Sequence, residues 1–386
     1  MKILLLGEYS NVHWTLAKGL KALGHDVTVV SNGDFWKDYP RDISLVRRPG
    51  KLGGLAYMAR LYSLLPRLRG YDVVQLINPM FLEIKAERIM PVYRYLRRHN
   101  RHVVLGAFGM DYYWVSTCCD KKPLRYSDFN IGDRLRENAD ALKERADWLG
   151  TAKQHLNIYI ARDCDAIVTG LYEYQVCYQP QFPDKTTFIP YPIAIESIDS
   201  CTEKNSTEKT IVAPSGAERG TMPLRLFIGI NKSRSEYKGT DIMLSALEHI
   251  AAKHPDSCDI IKVESLPYAD YQQSMNSSDV MLDQLYSYTP SMNSLLAMSK
   301  GIIVVGGGEP EQYDLIHETS LRPIINVEPT YESVCAQLEW LITHPQKINQ
   351  LKADSISYVK KHHDYKQIAL SYEAMYQSLL QQSERR

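Results

Sequence analysis

The sequence predicts an α/β protein made of two doubly wound domains in tandem. Three observations carry this: the chain opens on a strand–helix–strand unit, the same alternation recurs in both halves, and a polar stretch interrupts it in the middle. With 386 residues, 44% of them hydrophobic and 23% charged, the length suits two domains of roughly 150 to 200 residues each.

The elements follow in order. KILLLGEYS reads as a buried strand ending in a glycine turn, VHWTLAKGLKALGH as a helix that stops at Gly24, and DVTVVS as a second strand. A βαβ connection of this kind is nearly always right-handed. Apolar runs at 73–77 (VVQLI), 102–108 (HVVLGAF) and 166–170 (AIVTG), each after a polar or basic helical stretch, extend a parallel sheet through residues 1–196. Residues 197–222, rich in Ser, Thr, Glu and Gly, read as a linker. In 223–365 the alternation restarts: LRLFIGI, a helix over TDIMLSALEHIAAKH, CDIIKVES, a helix over YADYQQSMNSS, DVMLDQL, a helix over MNSLLAMSKG, then IIVVGGG. Residues 366–386 read as a last helix that packs back on the first domain. No repeat with a period of about 20 to 50 residues is visible, which argues against a solenoid.

Lys+Arg and Asp+Glu each total 45, so the whole-chain charge of a nucleic-acid binder is absent. The balance is uneven, because residues 1–110 carry 17 Lys/Arg against 8 Asp/Glu. Only ILLL follows Lys2 as an apolar run, far short of the roughly 20 residues of a membrane span, and a soluble, cytoplasmic protein is expected. Seven cysteines without a C-x-x-C pair fit neither a disulfide framework nor a zinc site. No metal or cofactor is expected: the one D-x-D, Asp163 to Asp165, reads as a helix end feeding a strand.

Several stretches could carry chemistry. The first strand is followed by GEYSNVHW and not by G-x-G-x-x-G, which argues against a nicotinamide or flavin enzyme. Gly7 and His13 nevertheless stand at the carboxyl end of a parallel strand, where open sheets bind ligands; a tight turn for Gly7, and a helix cap or plain exposure for His13, are the alternatives. GINKSRSEYKGTD sets Lys232, Arg234 and Lys238 just before a helix, either as a solvated basic loop or as a grip on a departing diphosphate. Pro290 and Ser291 precede a helix starting near Met292, so free N–H groups at Ser291, Met292 and Asn293 can hold a phosphate. In GGGEPE, Gly307 and Gly308 permit close ligand approach, and Glu309 and Glu311 can accept hydrogen bonds from sugar hydroxyls. Between Val46 and Tyr71 lie six basic residues and no acid; Arg60 to Arg69 with Leu61, Leu64, Leu65 and Leu68 read as a basic amphipathic helix, packed on the surface or lying on a membrane.

Taken together, MKILLLGEYS…LAKGLKALGHDVTVVS, YKGTDIMLSAL and SSDVML…LLAMSKGIIVVGGGEPE resemble the GT-B-fold glycosyltransferases of the large retaining family four, over most of the chain. The resemblance implies a GT-B fold, two Rossmann-like domains facing a central cleft. It also implies a retaining, metal-independent transfer of a sugar from a nucleotide-diphosphate sugar to a glycan or lipid-linked glycan acceptor, in cell-surface polysaccharide synthesis. Lys232 or Arg234 with Lys238 match the family's basic pair at the donor diphosphate, and Gly307 to Glu311 match its Gly-Gly-x-Pro-Glu donor segment. Two departures stand out. The paired family glutamates, eight positions apart, are Tyr288 and Leu296 here, with Asp283 nearby as a substitute for the ribose contact. The His-Gly-x-Asp-like element reads AFGMDYYW, which keeps Gly109 and Asp111 and lacks the histidine. Asp111 is thus a catalytic candidate, with Tyr112 and His13 on the acceptor side. A nucleotide-sugar epimerase of the same shape and a catalytically inactive sugar-nucleotide binder are the alternatives, and the positive first half suits peripheral contact with the inner membrane face.

Overall fold

The computed structural model describes residues 1–195 and 223–384; the 197–222 stretch read as a linker lies outside them. In the first domain β1 (Lys2–Leu6), β2 (Asp26–Ser31), β3 (Ile43–Ser44), β4 (Val73–Leu76) and β5 (His102–Ala107) come first. A short hairpin, β6 (Asn130–Ile131) and β7 (Arg134–Leu135), then precedes β8 (Ala166–Thr169) and β9 (Thr186–Phe188). Seven of these form one parallel sheet in the order β3-β2-β1-β4-β5-β8-β9. The second domain holds β10 (Leu224–Ile230), β11 (Cys258–Glu264), β12 (Val280–Leu282), β13 (Ile303–Gly306) and β14 (Ile325–Asn326), parallel in the order β11-β10-β12-β13-β14.

The central strands are rich in Val, Ile and Leu because helices cover both faces of each sheet; β4, β5, β8 and β13 are buried along their whole length, including Gln75 within β4. Strand order reverses beside β1 in the first sheet and beside β10 in the second. Each reversal opens a crevice at the carboxyl ends of the strands, and the two crevices face each other across the domain boundary.

The last helix, Tyr365–Glu384, lies against the first helix, Val12–Ala22. Gly19 makes that contact possible, since a Cβ there would sit 2.6 Å from Ala369 Cβ and 2.7 Å from the Tyr365 carbonyl. Tyr376 donates its hydroxyl to Gln75 at 2.7 Å, and His25 lies 2.8 Å from Glu373. The crossing back to the first domain is pinned where Ile193 N–H donates to the His363 carbonyl at 2.7 Å.

Of the two readings of the basic segment, its leucines follow that of a packed surface helix. Leu61, Leu64, Leu65 and Leu68 face the core, each 9% exposed or less, so they are the packing side of the helix Gly50–Leu64 and the turn after it. Among the described residues no helix is long and apolar enough to cross a membrane.

Candidate active site

A cavity of about 1210 Å³ lies between the domains, where both strand-order reversals meet. That volume is large enough for a nucleotide sugar, being at the upper end of small-molecule sites. The first domain contributes Ser10 and Asn11 after β1 and Trp36, Lys37 and Tyr39 after β2. From the second come the end of β10, the loop after β11 with Tyr268, and Asp283 after β12. Tyr39 and Tyr268 close one side of the cleft, their hydroxyls 2.9 Å apart.

Of the three cations that the sequence places before the second domain's first helix, Lys238 lines this cavity. Its place is set by Gly239, whose φ of 74° is left-handed and whose Cβ would meet Leu285 Cβ at 2.6 Å, and by the Leu285 N–H donating to the Lys238 carbonyl at 3.0 Å. The ammonium has no ion-pair partner among the described residues, and burial lowers its pKa from the ordinary lysine range. Lys232 and Arg234 lie outside the lining. Lys232 is 72% exposed and pairs with Glu264 at 2.8 Å, while the exposed Arg234 stacks 4.8 Å from the Tyr237 ring.

The helix Met292–Ser299 opens into the same cavity through Ser291, Met292 and Asn293. Ser291 caps it by accepting from Ser294 N–H at 3.2 Å, which leaves the first two helical N–H groups directed at the space in front of the helix. Asp283, which lines the cavity, accepts from the hydroxyls of Ser291 and Ser294 through one oxygen, at 2.5 Å each. Leu296 lines the wall where the resemblance has an acid.

The corresponding place in the first domain is filled. Glu8, which sequence reading passed over, accepts from the backbone N–H of His13 at 3.1 Å and of Trp14 at 2.9 Å, so its carboxyl occupies the N-terminus of the first helix. Burial pushes its pKa up to about 8 against the pull of those donors. An acid directly after the strand-end glycine was the available signal. The two domains therefore differ: one helix N-terminus is plugged by the chain's own carboxyl group and the other is open.

Four sequence candidates lie elsewhere than the acceptor or donor surface expected of them. His13, in the first turn of the first helix, is fully buried, its Nδ1 2.8 Å from the Gly7 carbonyl and its Nε2 3.2 Å from Gln75. Asp111 is likewise fully buried, capping the helix Tyr112–Asp120 through Trp114 N–H at 2.8 Å and accepting from the Tyr178 hydroxyl at 2.7 Å, with its pKa raised by burial to about 6. Tyr112 packs edge-on against Tyr113 at 5.2 Å, outside the cavity lining. Gly7, with φ 82°, has Ile77 Cγ2 2.3 Å from where a Cβ would be; the turn alone requires glycine.

Burial lowers the His13 pKa to about 4, against an ordinary 6.5. A histidine depressed in the folded state contributes stability that is present above pH 6.5 and lost as pH falls toward 4. His13→Gln should therefore lose less stability than wild type across that window, the slopes differing by up to about 1.4 kcal/mol per pH unit in denaturant melts at fixed pH. Equal slopes would contradict the assignment.

The donor segment is also placed differently. A Cβ at Gly307 would lie 2.4 Å from the Ser287 carbonyl and one at Gly308 2.7 Å from Ile324 Cγ2, so the chain's own packing demands these glycines. Glu309, 3% exposed, already has both oxygens engaged, by Arg125 at 2.5 Å and by the Tyr126 hydroxyl, and Glu311 sits 3.5 Å from Arg125. They belong to a polar clamp between the domains. In it Tyr288 accepts from Arg125 N–H at 2.7 Å, Arg136 donates to the Glu236 carbonyl at 2.8 Å, and Glu173 receives the loop 287–289. Asp165 of the D-x-D stretch pairs with Arg97 at 2.9 Å, and among the described residues no three His, Cys, Asp or Glu side chains gather as a metal site.

No protein-family model and no curated protein sequence matches the chain. Solved structures do. Sucrose-phosphate synthase from Thermosynechococcus elongatus superimposes with a TM-score of 0.62 at 12% identity, over 98% of this chain and 99% of that one. HepE from Anabaena in complex with UDP and glucose gives 0.58 at 14%, over 98% and 100%. The UDP-GlcNAc 2-epimerase of Neisseria meningitidis gives 0.54 at 11%, over 99% and 100%. The fold is GT-B. Its neighbours thus include glycosyltransferases and an epimerase, and at these identities the likeness concerns architecture.

Proposed function

We propose that the chain is a glycosyltransferase that moves a sugar from a nucleotide-diphosphate sugar to a glycan or lipid-linked glycan acceptor, with retention and without a metal or cofactor, as the resemblance to family four implies. It would serve cell-surface polysaccharide synthesis from the cytoplasmic side, with the basic segment 46–71 at the membrane. The observation that carries this reading is the pairing of Lys238 with the open helix N-terminus at Met292 and Asn293 in one interdomain cavity. Charge accumulates on the diphosphate as the glycosidic bond breaks, and a cation beside free backbone N–H groups stabilises that charge more than the ground state. Asp283, which lines the cavity, would take a donor hydroxyl in place of the acid missing at Leu296.

HepE is bound to UDP and glucose, which favours a nucleotide-sugar ligand here as well. The epimerase neighbour favours a second reading, in which the same grip holds the donor while its sugar is inverted at carbon. That chemistry asks for a proton-transferring side chain near the sugar, and Asp283 is the sole carboxylate, with no histidine, among the described lining residues. Transfer, which leans on leaving-group stabilisation, fits the lining better.

Thermal-shift measurements with UDP, GDP, ADP and CMP derivatives test the grip: one nucleotide diphosphate at 100 times its dissociation constant should stabilise the protein by about 2.7 kcal/mol. Incubation with the matching donor then separates the readings. Transfer that requires an acceptor supports the transferase, an epimerised donor without acceptor supports the rival, and tight binding without turnover on any acceptor identifies an inactive binder.

A further inference from the structure

Backbone strain in this molecule gathers around the large cavity. Eight non-glycine residues have a left-handed φ among the described residues, and six of them stand in loops that border this cleft. They are Ser10 (51°) and Asn11 (69°) after β1, Asp34 (59°), Phe35 (58°) and Asp38 (47°) after β2, and Ser265 (50°) after β11. Such conformations cost free energy, persist only where the surroundings impose them, and cluster at ligand clamps. Here the first domain imposes them itself: Asp34 accepts from Ser10 N–H at 2.9 Å and from Lys37 at 2.6 Å, and Lys37 also donates to the Ser10 hydroxyl at 3.3 Å. Asn11 stands apart from that network. It is the N-cap residue of the first helix, yet its side chain caps nothing. It lines the cavity, and its Oδ1 is buried without a hydrogen-bond partner among the described residues. A strained backbone thus holds an unsatisfied carboxamide at the first-domain wall. The last torsion of asparagine is broad, so either end of the amide can meet a ligand.

We infer that the Asn11 carboxamide binds a hydroxyl of the sugar carried by the nucleotide donor. This rests on the nucleotide-sugar reading of the cavity and gives its first-domain wall a task. The diphosphate is met from the second domain, by Lys238 and the open helix N-terminus at Met292. On the first-domain side Glu8 fills the helix N-terminus, Asp34 holds Lys37, and Lys18 stands exposed about two turns along the helix from Asn11. What meets Asn11 is therefore the uncharged part of the ligand. A carboxamide carries an acceptor and a donor and no charge, which matches a hydroxyl that both gives and takes a hydrogen bond. An ionised phosphate only accepts and would leave Oδ1 unpaired. A site built to bond a hydroxyl also rejects ligands that lack it, because its polar group is then left buried and unmet. Asn11 accordingly selects the sugar, while Lys238 selects the diphosphate.

Affinities of the full chain and of Asn11→Gly for UDP and UDP-glucose, with GDP and GDP-mannose as a second pair, test the inference. Glycine keeps the left-handed turn and removes the amide. For the pair that binds, the free nucleotide should bind both proteins alike, within about twofold, while the sugar nucleotide should bind the variant about fivefold more weakly. Discrimination among sugars on the same nucleotide should shrink with it. Because the side chain caps nothing, the melting temperature should stay unchanged or rise by about 2 °C as the strain is released. A lowered melting temperature with both affinities unchanged would give Asn11 a purely structural role and overturn the inference. Equal losses for nucleotide and sugar nucleotide would overturn it too, as would unchanged donor affinities with a raised KM for the acceptor. In each of these cases the wild type still binds the free nucleotide, and the diphosphate grip stands. A wild type that binds neither UDP nor GDP would sink the grip itself, and this inference with it.

Discussion

Lys238→Ala should lower turnover by about two orders of magnitude at saturating donor, with the melting temperature nearly unchanged. The ammonium lines the cavity without an ion-pair partner among the described residues, so its removal breaks no bond that holds the fold. Burial lowers its pKa, which means that the charged form is disfavoured in the empty protein and is called back when a diphosphate arrives. Lys238→Met, which keeps the apolar stem, should therefore leave the melting temperature unchanged or raise it while losing activity like alanine. The same lowering brings the alkaline loss of activity to a lower pH than an exposed lysine would give. Arg234→Ala should cost less than Lys238→Ala, since the guanidinium rests on Tyr237 outside the lining, and the double variant should lose most. Turnover of Lys238→Ala within threefold of wild type would refute the role and leave the loop a solvated basic surface.

The central strands were legible because each is a predominantly apolar run bounded by turn residues, and the helix at Met292 was legible because Pro290 and Ser291 announce its start. The edge strands Ile43–Ser44, Thr186–Phe188 and Ile325–Asn326 were not, being two or three residues long with no period to detect. In the site, sequence position alone identified strand ends and could not say which side chains turn inward. His13 and Asp111 both stand at carboxyl ends of parallel strands, as ligand-binding residues do, yet both point into the core. Lys238 and Lys232 are equally basic in the sequence; Gly239 turns one toward the cleft, and Glu264 holds the other away. The clamp residues Arg125, Tyr126, Arg136 and Glu173 were invisible for a different reason. Their partners lie about 100 residues or more further along the chain, and no local pattern records a contact made by folding two domains together.

That clamp supplies the second large effect. Glu173 is 5% exposed and accepts through one oxygen from Tyr288 N–H at 2.7 Å, Thr289 N–H at 3.0 Å and the Ser287 hydroxyl at 2.9 Å, and through the other from the Thr289 hydroxyl at 2.6 Å. A first-domain carboxyl group thus fixes the second-domain loop that leads directly into Ser291 and the open helix N-terminus. Glu173→Ala would leave two backbone N–H groups in a buried place without an acceptor, at a cost of about 3 kcal/mol, or a fall in melting temperature of roughly 5 to 10 °C. Because the loop also aims the anion site, donor KM should rise by more than kcat falls. Glu173→Gln keeps the oxygen that receives three of the four hydrogen bonds, and the Thr289 hydroxyl can turn to accept from the new amide, so it should recover most of the stability and the donor affinity. A purely structural role would lower the melting temperature and leave donor KM alone; an alanine variant with wild-type melting temperature and wild-type KM would show that the loop holds its place, and the helix N-terminus its aim, without Glu173.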